Sequence, residues 1–300
     1  MSTVHRILVV GAGAMGSQIA LVCALAGYHA TLADIDPERV RAADDEIDEL
    51  LLRREKKGKL GSVQAAAARA RLDTGTDIES AAAAADYVIE AVVEKLEVKR
   101  ELFARLDRVV PAHTVFASNS SGFVPSRLAT ATDRADRFCN LHFFNPALVM
   151  TCVEVVPGPQ TSPATLATTV ELAERLGKAP VVLDREIPGF IANRILNAVR
   201  DEAIALLEAD IAPVESIDTA CRTALGYPMG PFELMDLTGI DIGYYTKQAR
   251  YAETRDPRDA PSRSVATLVA RGELGRKTGA GWYTYAADGN ATARPRPQEL

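Results

Sequence analysis

Cysteine and histidine are scarce in this chain, and what there is forms no scaffold. Its 300 residues hold four of each. Cys23, Cys139, Cys152 and Cys221 show no C-x-x-C spacing and sit in apolar stretches. They read as buried, reduced thiols, and a cytoplasmic setting follows. The histidines are scattered without an H-x-x-x-H pair, so nothing suggests a metal site. Long apolar runs are missing as well. None nears the roughly 18–20 residues that span a bilayer. Ile7–Val10 is followed at once by glycines, which makes it a strand rather than the core of a signal peptide, and no membrane association is expected. Positive charge is in deficit: 34 Lys and Arg against 40 Asp and Glu leave a net charge of -6. That sign excludes a general nucleic-acid binder, though not a local basic patch.

What is present has the balance of an ordinary globular protein, 47% hydrophobic and 25% charged. Its length exceeds the roughly 100–200 residues usual for one domain, so two are expected. The first part alternates strands with helical patterns. Strands are expected at Arg6–Val10, Ala30–Ala33, Tyr87–Glu90 and Val115–Ser118, with a short segment at Leu72–Thr74. Helices are expected at Met15–Ala26, from Pro37 to about Lys57, near Ser62–Arg71, over Ile78–Ala85 and from Glu94 to about Val109. Such alternation predicts βαβ units and a parallel sheet. After about Asp184 the pattern turns helical, over Phe190–Ala209, Val214–Leu225 and beyond Gly239, with no clear strand run. The expected fold is α/β, a Rossmann-type dinucleotide-binding domain (residues 1–187) followed by a smaller all-helical domain (188–300). Trp282–Tyr285 reads as a short extended segment, and the last ten residues, rich in Arg and Pro, read as disordered.

Gly11, Gly13 and Gly16 form a G-x-G-x-x-G turn. The pattern gains weight from its place, with an apolar strand leading in and an amphipathic helix leading out. The first glycine permits the tight turn and the second lets backbone amides approach a pyrophosphate. The third allows close helix–sheet packing, and the helix N-terminus favours negative charge. Asp34 ends the second strand, where an acidic side chain takes ribose hydroxyls and repels a 2′-phosphate. The cofactor expected is NAD rather than NADP.

Two further segments stand out. Ala117–Gly122 follows a strand, so its polar side chains emerge at a carboxyl edge, where open α/β sheets bind ligands. Leu141–Pro146 holds His142 among apolar residues. Imidazole titrates near pH ~6.5 and suits the removal of an alcohol proton during hydride transfer. Glu154, within the apolar run Cys152–Val156, is expensive there unless paired. By residue type alone, His142 also fits a satisfied core residue, and the serines also fit a loop or helix cap.

The motifs together resemble the L-3-hydroxyacyl-CoA dehydrogenase family, in its short 3-hydroxybutyryl-CoA form. The resemblance runs over roughly residues 4–286. Gly11–Gly16, Val88–Glu94, Ala117–Ser121, His142–Pro146 and Val153–Val156 carry it first. Pro188–Phe190 with Asn193-Arg194, Gly226–Leu234 and Gly275–Gly279 follow. It implies that His142 is the catalytic base and Glu154 its partner. Ser121 and Asn193 would hydrogen-bond the substrate's 3-oxygen or its neighbourhood. Glu94 and Lys99 would approach the nicotinamide half of the cofactor, with Asn119 and Asn145 lining the same cleft. Lys56, Lys57 and Lys59 would meet the CoA end of an acyl-CoA, although by residue type they fit a solvated helix end equally well. A homodimer through the helical domain is implied too.

The chain departs from the family pattern in two places. Ala147-Leu148-Val149-Met150-Thr151 replaces a second proline and a Met-Lys pair, with one lysine lost. Asn119-Ser120-Ser121-Gly122-Phe123 stands where the family has Asn-Thr-Ser-Ser-Leu. Acyl-chain preference stays open, and so do an acyl-carrier-protein thioester or a free hydroxy acid as substrate. A protein that binds NAD without catalysis is the remaining alternative, against which His142, Glu154, Ser121 and Asn193 stand together.

Overall fold

The structure, a computed structural model, describes residues 4–286 and 291–293. The chain forms two compact units that divide between Ile191 and Ala192. The first is built on an eight-stranded sheet in the order β3-β2-β1-β4-β5-β6-β7-β8. Its strands are β1 (Arg6–Val10), β2 (His29–Ala33), β3 (Leu72–Gly75), β4 (Tyr87–Glu90), β5 (Val115–Ser118), β6 (Phe138–Phe143), β7 (Cys152–Pro157) and β8 (Ala179–Val182). The first six run parallel, β7 pairs antiparallel with β6, and β8 is parallel to β7. The strand order reverses between β1 and β4, the switch point at which open sheets of this kind bind ligands.

Alternate residues of β1 serve opposite faces. Ile7 and Val9 join one core with α1 (Ala14–Leu25), α2 (Pro37–Lys56), α3 (Ser62–Arg69) and α7 (Pro163–Arg175). Leu8 and Val10 join a second core with α4 (Ile78–Ala82), α5 (Leu96–Asp107) and α6 (Pro125–Ala129). Burial on both faces explains why these strands read as continuous apolar runs. Helix α1 corrects one expectation: Gly16–Ala24 are all buried, so it is not amphipathic. It packs against the sheet and also against α2 and α3, and a helix covered on all sides needs no polar face.

The segment after β8 stays with the sheet. Leu183 and Phe190 pack with Val124 and Val156, and the Ile191 N–H donates to Glu154 at 2.9 Å. The division therefore falls four residues past the expected 187/188 break.

The second unit is helical, with α8 (Ala192–Glu208), α9 (Val214–Ala224), α10 (Pro231–Thr238), α11 (Ile240–Thr254) and α12 (Arg263–Ala270). Two buried aspartates tie it together. Asp218 accepts the Phe232 and Glu233 N–H groups at the start of α10 and the Tyr283 hydroxyl at 2.7 Å. Asp236 accepts the Trp282 and Tyr283 N–H groups and the Tyr285 hydroxyl at 2.8 Å. Burial pushes both carboxyls above their usual range against the pull of those bonds. These anchors hold Tyr283–Tyr285 as β9, paired antiparallel with β10, Ala291–Ala293. The second unit is helical as expected, with the extended segment expected at Trp282–Tyr285 seen at Tyr283–Tyr285, while the expectation of disorder from residue 291 is corrected at Ala291–Ala293. Residues 294–300 lie outside the described residues. All four cysteines are free, but only Cys23 and Cys139 are buried, while Cys152 and Cys221 are half-buried.

Candidate active site

The β6–β7 reversal builds the centre of the site. His142 and Glu154 are direct partners in the antiparallel register, which sets their side chains side by side on one face. The His142 Nδ1 lies 2.8 Å from a Glu154 carboxylate oxygen. Both side chains are buried. Phe144 and Phe190 flank the imidazole, with ring centroids 4.6 and 5.4 Å away. A carboxylate facing Nδ1 accepts its hydrogen, so the Nδ1–H tautomer is favoured and Nε2 is left with its lone pair. Nε2 has no hydrogen-bond partner among the described residues.

Next to this pair lies the loop after β5. The Asn119 side-chain oxygen accepts the Phe143 N–H at 2.8 Å, tying the loop to the residue after His142. Asn140 donates to the carbonyls of Ser120 and Phe123 at 3.3 and 2.8 Å. Ser121 is exposed, and its hydroxyl bonds to none of the described residues. Glu94 accepts the Ser120 hydroxyl and the Gly122 N–H, the latter at 3.0 Å. Lys99 is 1% exposed and pairs with Glu90 at 2.6 Å and Glu94 at 3.1 Å. Burial pushes the Glu90 carboxyl above its usual range, opposed by Lys99, by the Ser118 hydroxyl and by the Val92 N–H.

The glycine turn lies at the β1/β4 switch point. Gly11 has φ +110°, and a β-carbon there would stand 2.5 Å from the Ala91 carbonyl oxygen. A β-carbon on Gly16 would lie 1.8 Å from the Gly11 oxygen. No side chain caps α1, and no atom comes within 4 Å of a β-carbon built on Gly13. The first-turn amides therefore open onto free space, where a pyrophosphate fits. Asp34 stands beside them, accepting the Ala12 N–H at 2.9 Å and the Asp36 N–H at 3.0 Å. Each oxygen keeps a lone pair for a ribose hydroxyl.

These parts match a known family over nearly the whole chain. The model for "3-hydroxyacyl-CoA dehydrogenase, NAD binding domain" covers residues 6–187, and that for the C-terminal domain of the same family covers 189–285. The chain belongs to the 3-hydroxyacyl-CoA dehydrogenase family. Human mitochondrial hydroxyacyl-coenzyme A dehydrogenase is 41% identical over 94% of this chain and 91% of its own length. A probable 3-hydroxybutyryl-CoA dehydrogenase of Bacillus subtilis is 36% identical over 94% and 98%. The crystal structure of (S)-3-hydroxybutyryl-CoA dehydrogenase PaaH1 from Ralstonia eutropha is 37% identical. It superposes with a TM-score of 0.88 over 95% of this chain and 100% of that one. The cofactor of the first unit is NAD, in keeping with its turn and with Asp34.

The fold brings together His142, Glu154, Asn119, Ser121 and Glu94, and sets Gly11, Gly13, Gly16 and Asp34 around one turn. Lys99 differs from its expected place: it lies beneath the loop, not on a ligand surface. Asn145 is exposed in the β6–β7 connection, ahead of a cis bond to Pro146. Lys56, Lys57 and Lys59 are exposed at the end of α2, without an ion pair among the described residues. Asn193 belongs to the first turn of α8, in the second unit. Sequence reading passed over Glu90 and Asn140, and took Ser118 and Ser120 only as part of the Ala117–Gly122 segment. Glu90 had a signal like the one that marked Glu154, a carboxylate in an apolar strand, here at its end. Lys178 was passed over as well; it donates to the carbonyls of Ala147 and Met150 and so holds the β6–β7 connection.

Proposed function

We propose that the chain interconverts (S)-3-hydroxyacyl-CoA and 3-oxoacyl-CoA of short acyl length with NAD, using His142 as base and Glu154 as its orienting partner. The observation that carries this reading is the buried 2.8 Å contact between His142 Nδ1 and Glu154. NAD, when bound, accepts or returns the hydride at C3. In oxidation, Nε2 of His142 takes the proton from the 3-hydroxyl as the hydride leaves C3. Glu154 stabilises the imidazolium that results and keeps the ring from turning. In the reverse direction the imidazolium protonates the ketone oxygen. Ser121 hydrogen-bonds that oxygen, and family resemblance gives Asn193 the same task. With no covalent intermediate, positioning and proton transfer are the protein's contribution.

Asp34 supports NAD over NADP, since its carboxylate at the adenosine end repels a 2′-phosphate. Lys56, Lys57 and Lys59 offer charge to the phosphates of CoA. A homodimer through the second unit is supported by exposed apolar side chains there, among them Ile195, Leu237, Ile242 and Tyr245. Light scattering at micromolar concentration reads that state directly. The four free thiols accord with a reducing cytoplasm.

The test is turnover of acetoacetyl-CoA with NADH, beside acetoacetyl-carrier protein, free acetoacetate and a series of longer acyl-CoAs, each also with NADPH. Oxidation of NADH by the short CoA thioester is expected to be fastest. Turnover confined to the carrier-protein thioester or the free acid would overturn the CoA assignment, and no turnover on any of them would overturn catalysis.

A further inference from the structure

Strand β6 grips the loop after β5 from two positions, one on either side of His142. Beyond His142, the Phe143 N–H donates to Asn119 at 2.8 Å. Before it, Asn140 reaches across with its side-chain amide, which donates to the Ser120 carbonyl at 3.3 Å and the Phe123 carbonyl at 2.8 Å. Those two carbonyls bracket Ser121. Asn140 and His142 lie two residues apart on one strand and so share a face, while Cys139, Leu141 and Phe143 fill the core on the opposite one. The clamp on the loop and the proposed base are thus fixed to the same short piece of backbone.

Asn140 is fully buried, and its side-chain oxygen has no partner among the described residues. Turning the amide round would set that oxygen against two carbonyls, so the hydrogen bonds dictate its orientation. A buried acceptor without a partner costs stability that an apolar side chain of similar size would not. Packing at this place does not call for asparagine, whereas the loop does. Other hydrogen bonds of the loop engage its donors. The Ser120 hydroxyl oxygen takes the Gly122 and Phe123 N–H groups at 3.3 and 2.8 Å, and Glu94 takes the Ser120 hydroxyl. Asn140 engages its carbonyls, and Ser121 stands between the anchored residues.

We infer that Asn140 is a positioning residue, which ties the Ser121 loop to the strand of His142 and so sets the spacing between the Ser121 hydroxyl and the imidazole. This rests on the roles of Ser121 and His142 proposed above. A base and a hydrogen-bond donor that meet at one substrate oxygen need a fixed separation. A misplacement of about 1 Å in such a group can cost about 100-fold in rate.

Two variants test this, each made alone and together with S121A. N140A removes the clamp. N140L removes it while keeping much of the side chain's shape, so that a packing defect does not pass for a lost clamp. Four quantities are read: urea unfolding, NADH affinity by fluorescence, kcat with acetoacetyl-CoA, and amide exchange of the peptide spanning residues 119–124. For both variants the expectation is kcat lower by roughly 10–100-fold, with NADH affinity within about threefold of wild type. Exchange in the loop should be faster by about tenfold. In the S121A background the further loss should stay under about threefold, because both changes act through one hydroxyl. An asparagine that only supports the fold would lower the urea midpoint without that coupling. A folded variant with kcat within about twofold of wild type, or losses that multiply in full with that of S121A, would overturn the inference. Unchanged loop exchange would do the same. The exchange arm needs no turnover. A wild type inactive on acetoacetyl-CoA would therefore sink the functional reading, while loop exchange would still decide whether Asn140 clamps the loop.

Discussion

His142 with Glu154 and Lys99 with Glu90 are both buried acid–base pairs, each with one member, His142 or Glu90, near the carboxyl end of a strand of one sheet, and they differ in what they leave over. In the first, the histidine uses only Nδ1 on the carboxylate, and Nε2 keeps a lone pair. In the second, the ammonium donates to Glu90 and the Val92 carbonyl and lies 3.1 Å from Glu94. A buried base with a spare lone pair can take a proton, whereas an ammonium beside two carboxylates can only donate or hold geometry. The distinction rests on hydrogen-bond inventories rather than residue types, since each pair is one carboxylate facing one nitrogen base.

The most direct way to break the contrast is H142Q. If Nε2 moves the proton, turnover should fall by about 10²–10⁴-fold, with the thermal midpoint nearly unchanged. A loss of less than tenfold would end its assignment as base. The opposite profile is expected of K99M. Stranding Glu90 in the core should cost about 3–5 kcal/mol of stability, read from urea unfolding, and E90Q/K99M should recover most of it. Equal stabilities for K99M and wild type would show that the pair holds nothing.

E154Q sharpens the comparison from the acid's side. The charge-assisted bond to the imidazolium is worth about 1.5–3 kcal/mol, so kcat should drop roughly 10–150-fold. KM for NADH should stay as it was. A kcat within twofold of wild type would leave Glu154 with a structural role only.

The smallest effect concerns an acid–base pair closer to solvent, Asp86 with His113, at 2.9 Å near the start of β1. Burial pushes Asp86 upward, but the His113 ring and the N–H groups of Arg6 and His5 outweigh it and hold the carboxyl below its ordinary 3.8. A depressed folded value favours the fold above the unfolded one. This contribution is complete above 3.8 and fades as pH falls through the lower folded value. The stability gap between wild type and D86N should therefore narrow as pH drops below about 4. A gap constant down to the acid transition would contradict this.

Much of the first unit was legible because its signals are local. The glycine spacing requires Gly11 and Gly16 where a β-carbon would strike backbone, and Asp34 follows β2 directly. Apolar strands alternating with helical periods announced the parallel sheet. The Ala179–Val182 strand and the Pro163–Arg175 helix were missed. So was the Tyr283–Tyr285 pairing with Ala291–Ala293, whose first strand is anchored by Asp236, 47 residues before Tyr283 and 49 before Tyr285.

By itself the sequence determined the cofactor turn, the alternation of strands and helices through β5, and the residue types able to move a proton, since all of these follow from neighbours within a few positions. It also marked Glu154 as a carboxylate in need of a partner. Only the tertiary structure decided which partner each group took. The reversal of β7 against β6 brought Glu154 to His142 across twelve residues. The packing of α5 under the β5 loop turned Lys99 inward to Glu90. Burial and pairing arise from elements distant along the chain, and a residue's type does not say whether the fold will leave its last donor or lone pair free.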